Sequence, residues 1–139
     1  MRLKSIVVVV LFALFLTPAF GAKMSYDQVV KDVSTQLSSA IKADVKVAFV
    51  DFKSESIQFS NRFIGDVERT LINSDVIVLE RSNLDALIKE LEFQTSGLVA
   101  DEQAVSIGHM VGAQMIIVGS ARNMVSYYQV DIKLIDLET

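Results

Sequence analysis

The sequence predicts an α/β (α+β) domain: a small three-layer-like mixed sheet of about four strands with helices packed on it, in the order α-β-α-β-α-α-β-β. Three observations carry this. Val45-Lys46-Val47-Ala48-Phe49-Val50-Asp51-Phe52 is a short, nearly continuous run of β-branched, aromatic and small apolar residues, the mark of a strand buried on both faces. Apolar residues recur at helical spacing on either side of it. The last segment, Tyr127 to Leu137, instead alternates apolar and polar residues, as a strand with one wet face does.

The elements follow in order. Residues 25–43 carry Val29, Val30, Val33, Leu37 and Ile41 on one stripe, with Asp27, Lys31, Asp32, Gln36 and Lys42 between them. This is an amphipathic helix with Ser25 placed to cap it. Strand 45–52 runs into the polar loop Lys53-Ser54-Glu55-Ser56. Ile57 to Ile72 is a second helix, with Phe59, Phe63, Ile64, Val67 and Leu71 on its stripe and Asn73-Ser74-Asp75 ending it. Val76 to Leu79 is a short second strand. A helix then buries Leu84, Leu87, Ile88 and Leu91, with Ser82 or Asn83 as its cap and Gly97 at its left-handed C-terminal position. Asp101 opens the next helix and Gly112 ends it. Gly108 lies inside that helix, where glycine costs about 1 kcal/mol relative to alanine, so it marks close packing against a neighbour. Met115 to Val118 is the third strand. It pairs with Tyr127 to Leu137 as a hairpin around Asn123 to Ser126. Ile135 and Leu137 fall on the parity that is polar earlier in the strand, which predicts a bulge or the strand end at Leu134-Ile135. The central β-α-β unit implies parallel pairing with a right-handed crossover.

Ahead of all this stands a leader. Met1-Arg2-Leu3-Lys4 is basic, Ile6 to Leu16 is an unbroken apolar run, and Thr17-Pro18 breaks it before the small residues around Gly21. These are the regions of a secretory signal. Cleavage fits after Gly21, since cleavage after Ala22 puts Phe20 at an excluded position. The apolar core is too short for a membrane span, which needs roughly 20 residues. The chain therefore divides into a signal peptide at 1–21, an N-terminal amphipathic helix at 22–44 and an α/β domain at 45–139. The domain stops at Asp136-Leu137-Glu138-Thr139 directly out of a strand, either at an edge or shorter than its relatives.

Export sets the chemistry available. The chain has 13 basic and 17 acidic residues; losing Arg2 and Lys4 with the leader leaves 11 against 17, a charge of −6. That excludes the basic face a nucleic-acid partner needs. The absence of cysteine excludes disulfides, thiolate metal sites, thiol catalysis and a lipid carried on an N-terminal cysteine. His109 is the sole histidine and has no second imidazole or thiol to build a usual zinc site, so it reads as a structural or surface residue. Asp51, Glu55 and the Glu80-Arg81 pair sit near strand ends, where ligands bind in α/β sheets, but no phosphate-binding glycine loop accompanies them. Ser96-Gly97 and Gly119-Ser120 lack the frame of a nucleophile elbow. Tyr127-Tyr128 spans two faces of a strand, one ring predicted buried and one outward, and outward aromatics favour interfaces.

The segment from Val47 onward resembles the curli-assembly family, CsgG, and the related lipoprotein activators of penicillin-binding proteins, LpoB. The matching residues are Val47-Ala48-Phe49-Val50-Asp51-Phe52, Val78-Leu79-Glu80-Arg81 with Leu84, and Glu90-Leu91-Glu92-Phe93-Gln94 with Ser96-Gly97-Leu98. Ile107-Gly108, Gly112-Ala113, Ile116-Ile117-Val118-Gly119-Ser120 and Leu134-Ile135-Asp136-Leu137-Glu138-Thr139 follow in the expected order. The resemblance implies a periplasmic α/β domain that acts by protein–protein contact. In the curli branch copies form a ring bearing an export channel; in the activator branch the domain docks onto a peptidoglycan synthase. The family's lipid-bearing cysteine is missing here, and so are spare hairpins for a barrel wall.

The expectation is a periplasmic, outer membrane-associated assembly or accessory protein of the curli-assembly type. It would have no enzymatic activity, no cofactor and no metal, and its partners would be envelope proteins and itself. Tyr127, Gln129, Asp131 and Lys133 on the last strand are the candidate partner-binding residues, because an open strand edge invites strand addition. Two other readings remain: a small-ligand or glycan-binding module using Asp51 and Glu80, and an activator of a peptidoglycan synthase.

Overall fold

A computed structural model of the chain describes residues 7–12, 24–94 and 101–138. The described elements are β1 (Val7–Phe12), α1 (Tyr26–Ala40), β2 (Lys46–Lys53), α2 (Ile57–Asn73), β3 (Ile77–Val78), α3 (Arg81–Gln94), α4 (Asp101–Met110), β4 (Met115–Asn123) and β5 (Tyr128–Asp136). They form one mixed sheet in the order β1-β5-β4-β2-β3. β2 pairs in parallel with both β3 and β4. β5 runs antiparallel to β4 on one side and to β1 on the other.

Two apolar cores lie on opposite faces of the sheet. The first joins Val29, Val33 and Leu37 of α1 and Phe63, Val67 and Leu71 of α2 to Val47, Phe49, Ile117, Ile132 and Leu134. The second joins Leu84 of α3 and Ala104 and Ile107 of α4 to Ala48, Val50, Ile116, Ile135 and Leu137. This is the layered α/β arrangement expected of a strand like β2, whose central residues are buried whichever face they point to.

The helix ends follow side-chain chemistry. Ser25 caps α1 through a capping box: its Oγ accepts from the Gln28 N–H at 3.3 Å, and Gln28 Oε1 accepts from the Ser25 N–H at 2.9 Å. Ser56 Oγ accepts from the Phe59 N–H at the start of α2. Gly112, at φ +76°, follows α4. Inside α4, a Cβ built on Gly108 would stand 2.6 Å from Ile116 Cγ2 and 2.7 Å from Leu137 Cδ1. Glycine there lets the helix lie directly on β4 and the end of the chain.

Several expectations are corrected. No bulge occurs at Leu134-Ile135: β5 keeps unbroken register with β4 from Tyr128 to Asp136. The change in parity arises because Leu134 lies in the first core and Ile135 in the second, so both faces of the strand are covered there. The irregularity sits in β2 instead, between Phe49 and Asp51. There Val50 is the extra residue, and Phe49 and Phe52 both reach the first core as a result. α3 begins at Arg81, so Ser82 and Asn83 lie inside the helix rather than capping it. β3 is shorter and β4 longer than their apolar runs suggest. A further strand, Val7–Phe12, lies within the apolar run that was expected to belong to a signal peptide. Gly21, Ser96 and Gly97 fall outside the described residues, as does the proposed cleavage point.

Candidate functional site

The bulge in β2 aligns Asp51 with Val118 and Lys53 with Ser120. One strand further, Ser120 lies opposite Asp131 and Val118 opposite Lys133. The result is a shallow cleft of about 260 Å³ across β2, β4 and β5, lined by Asp51, Lys53, Val118, Ser120, Asp131 and Lys133. Its charges are arranged in pairs. Lys53 Nζ lies 3.4 Å from Asp51 Oδ2, and Arg122 Nη2 lies 3.4 Å from Asp131 Oδ2. Gln129 Nε2 donates to Asp131 Oδ1 at 3.4 Å.

Gly119 fixes how closely β4 and β5 approach beneath this cleft. A Cβ there would stand 2.6 Å from the Asp131 carbonyl oxygen and 2.8 Å from Ile132 Cδ1. Of the residues predicted to bind a partner, Asp131 and Lys133 line the cleft and Gln129 braces Asp131. Tyr127 lies apart, at the tip of the β4–β5 hairpin. The expected division of Tyr127 and Tyr128 into a buried and an exposed ring does not occur. They are 42% and 41% exposed, and Tyr128 stacks on Phe59 at 4.9 Å between ring centroids.

That stack links the hairpin to the first core, since Phe59 also stacks on Phe63 and meets Tyr26 edge-on. Beyond it the tip is apolar and exposed: Met124, Tyr127 and, on the nearby helix start, Ile57. Val125 is 99% exposed at φ +76°, a left-handed conformation that a β-branched residue rarely adopts. Its N–H donates to Asn123 Oδ1 at 2.9 Å, which helps hold the turn.

A third polar constellation, which the sequence reading missed, bridges α1 and α2. Tyr26 Oη donates to Asp66 Oδ2 at 2.7 Å, Arg69 Nη1 donates to Asp66 Oδ1 at 3.0 Å, and Arg62 lies over the Tyr26 ring at 4.4 Å. The Tyr26 hydrogen bond, followed by Arg69 and Arg62, holds the Asp66 carboxyl below the usual aspartate range against the opposing effect of burial. Burial, with Asp66 adding to it, pushes the Tyr26 phenol above its ordinary value. The spacing of Arg62, Asp66 and Arg69 on one helix was the available signal. Its cross-helix partner was not legible.

Among the described residues no three His, Asp or Glu side chains gather to hold a metal. His109 is exposed in the last turn of α4. Asp51 and Glu80 do not meet: Asp51 lines the cleft, whereas Glu80 is exposed beyond β3 and outside it. The site is a patterned surface of charge pairs and exposed aromatics, suited to contact with another macromolecule.

Comparison with known proteins gives the chain a family. The model of the peptidoglycan-synthase activator LpoB matches residues 51–139, more than half of the chain. No curated protein sequence matches significantly. The LpoB C-terminal domain from Salmonella enterica has a similar fold, with a TM-score of 0.63 at 16% identity, over 79% of this chain and 86% of that one. The LpoB C-terminal domain from Escherichia coli gives 0.60 at 14% identity, over 78% and 85%. At such identities the structural likeness establishes the fold alone: a mixed sheet with helices on it. The curli-assembly reading is overturned, because the matching family model is the activator's. The chain belongs to the LpoB family of peptidoglycan-synthase activators.

Proposed function

We propose that the chain is a cell-envelope protein that activates a peptidoglycan synthase of the penicillin-binding type by direct contact, with no chemistry of its own. The observation that carries this reading is the family match over residues 51–139, which spans β4, β5 and every residue that lines the cleft. The leader-like start fits a periplasmic setting, where peptidoglycan is made. The docking surface is the outer half of the β4–β5 hairpin, with Tyr127, Gln129, Asp131 and Lys133 joined by Arg122. Arginine and tyrosine are the side chains that most often carry binding energy at interfaces. Here Arg122 and Tyr127 are both exposed at the hairpin end.

The test is reconstitution. Purified protein is added to a bifunctional penicillin-binding protein from the same organism, and glycan polymerisation and cross-linking are followed. The expected result is stimulation of the synthase, reduced at least ~10-fold in potency by Arg122→Glu with Tyr127→Ala, a loss typical of two hot-spot residues. A folded wild-type protein that neither binds nor stimulates any such synthase of that organism overturns the reading.

A further inference from the structure

The outer neighbour of β5 is β1, antiparallel from Val7↔Ile135 to Phe12↔Val130. These β1 residues lie within the run read as the apolar core of a signal peptide. Removal of residues 1–21 takes β1 away and leaves β5 at the edge of the sheet. The main-chain groups along one side of residues 130–135 then lose their partners.

This edge carries few of the features that normally protect one. Its register with β4 is regular throughout, without a bulge or a proline. Val130, Ile132 and Leu134 are buried on one face and Ile135 on the other. The charges along the paired stretch are Asp131 and Lys133, two residues apart on the same face. A long, regular, apolar edge is a template for another strand.

We propose that the processed chain closes this edge with a second copy of itself, β5 against β5, antiparallel about a two-fold axis through Ile132. Elementary rules of pairing select that register. Residues directly opposite one another in an antiparallel pair lie on the same face of the sheet. The even-numbered residues of β5 face the first core, so even must oppose even for the two cores to run on across the joint. The two-fold therefore passes through a residue. Centred on Asp131 it sets two aspartates face to face; centred on Lys133 it sets two lysines face to face. Centred on Val130 or Leu134 it shortens the overlap and places Asp131 or Lys133 against an uncharged residue. Centred on Ile132 it pairs the whole of β5, sets Val130 against Leu134 of the second copy, and opposes Asp131 to Lys133 of the second copy twice. The strand is thus self-complementary in charge, in face and in length. This inference does not depend on the synthase reading.

The experiment uses the full-length gene. Protein is recovered from the periplasm, its N-terminus is fixed by intact mass, and its molar mass is followed by light scattering and sedimentation over a range of concentrations. The expected species is a dimer lacking residues 1–21. Asp131→Lys and Lys133→Asp each oppose like charges twice and are expected to weaken the dimer at least ~10-fold. The double variant Asp131→Lys/Lys133→Asp restores the opposite pairs and returns the dimer to the wild-type range. Circular dichroism and a thermal melt confirm that each variant is folded. A processed wild-type monomer at every concentration overturns the proposal. So do a dimer indifferent to either single reversal, a folded double variant that fails to recover, and a mature chain that retains residues 7–12. Asp131 and Lys133 also lie on the proposed docking surface, so stimulation of a synthase is read on the wild-type protein, and the two readings can fail independently.

Discussion

Tyr26 shows how single side chains tie α1 to α2. Its hydroxyl donates to Asp66, whose other oxygen accepts from Arg69. Tyr26→Phe keeps the ring contacts with Phe59 and Phe63 and removes the donor. A hydrogen bond to a charged, partly exposed group is worth about 1 kcal/mol, so the variant should be less stable by that amount at neutral pH in urea denaturation. The pH dependence has a definite sign. A carboxyl held below its usual value contributes stability above the ordinary aspartate range, and this is lost as pH falls through its folded pKa. The gap between wild type and Tyr26→Phe should therefore close in acid. At the other extreme a phenol raised in the folded state favours folding less as pH climbs past about 10, so wild type should lose stability in alkali faster than the variant. Glu68 behaves oppositely to Asp66. Burial raises its carboxyl, partly offset by Arg81, and its Oε1 has no hydrogen-bond partner among the described residues. Here the folded state binds the proton more tightly, so stability falls as pH rises from the ordinary glutamate value. Glu68→Gln should melt a little higher than wild type at pH 7, and the difference should vanish below pH 4.

At the scale of elements, the β4–β5 hairpin combines strain at its tip with very close packing at its base. Val125 holds φ +76° while fully exposed, so its side chain contributes little to the core in return. Val125→Asn suits the left-handed conformation and should stabilise the fold by about 1 kcal/mol. If Val125 belongs to the docking surface, the same change should weaken synthase binding, and an unchanged affinity would remove the tip from that surface. Gly119→Ala should act in the other direction. Its new methyl meets the Asp131 carbonyl, which is backbone and cannot swing aside, so β4 and β5 must part; a loss of about 2–3 kcal/mol is expected by denaturant titration. Elements were legible to different degrees for physical reasons. α1, α2 and β5 were visible because each carries a long periodic stripe, and β2 because its apolar run is nearly continuous. β3 was overestimated because its apolar residues continue into a loop, where Leu79 N–H still bonds the Val47 carbonyl without extending the ladder. The end of β5 was misread as a bulge because alternation reports one wet face and is silent when helices cover both. The true bulge at Val50 left no mark, since the apolar run from Val47 to Val50 leading into it has no alternation for an extra residue to break. Of the candidate surface, the polar residues of β5 were visible from their alternation. Arg122 and the α1–α2 cluster were not, because their partners lie on other elements.

For the molecule as a whole, the question is how far the folding unit extends beyond the matched segment. The family model begins at residue 51, but the first core does not. Val29, Val30, Val33, Leu37 and Ile41 are all buried, with Val33 and Leu37 wholly so, against Phe63, Val67 and Leu71 of α2 and the face of the sheet. Burying a side chain of this kind contributes roughly 1.5–3 kcal/mol, so α1 and its end supply on the order of 10 kcal/mol before entropy is set against it. That equals the net stability of an ordinary domain, about 5–15 kcal/mol. Residues 45–139 alone would open the first core along its length and expose Phe49, Phe63 and Ile117 to water. This fragment is expected to bind the dye ANS, to lose the near-ultraviolet circular dichroism of its packed aromatics and to melt without a cooperative transition. Leu37→Ala in the whole chain gives a graded version of the same test. It should cost 2–5 kcal/mol, as truncation of a wholly buried leucine does, while leaving the cleft on the opposite face of the sheet unchanged. A fragment 45–139 that melts cooperatively near the wild-type temperature would show that α1 is an accessory to the fold. The loss of its transition would place α1 inside the unit that holds β4 and β5 in position to meet a partner.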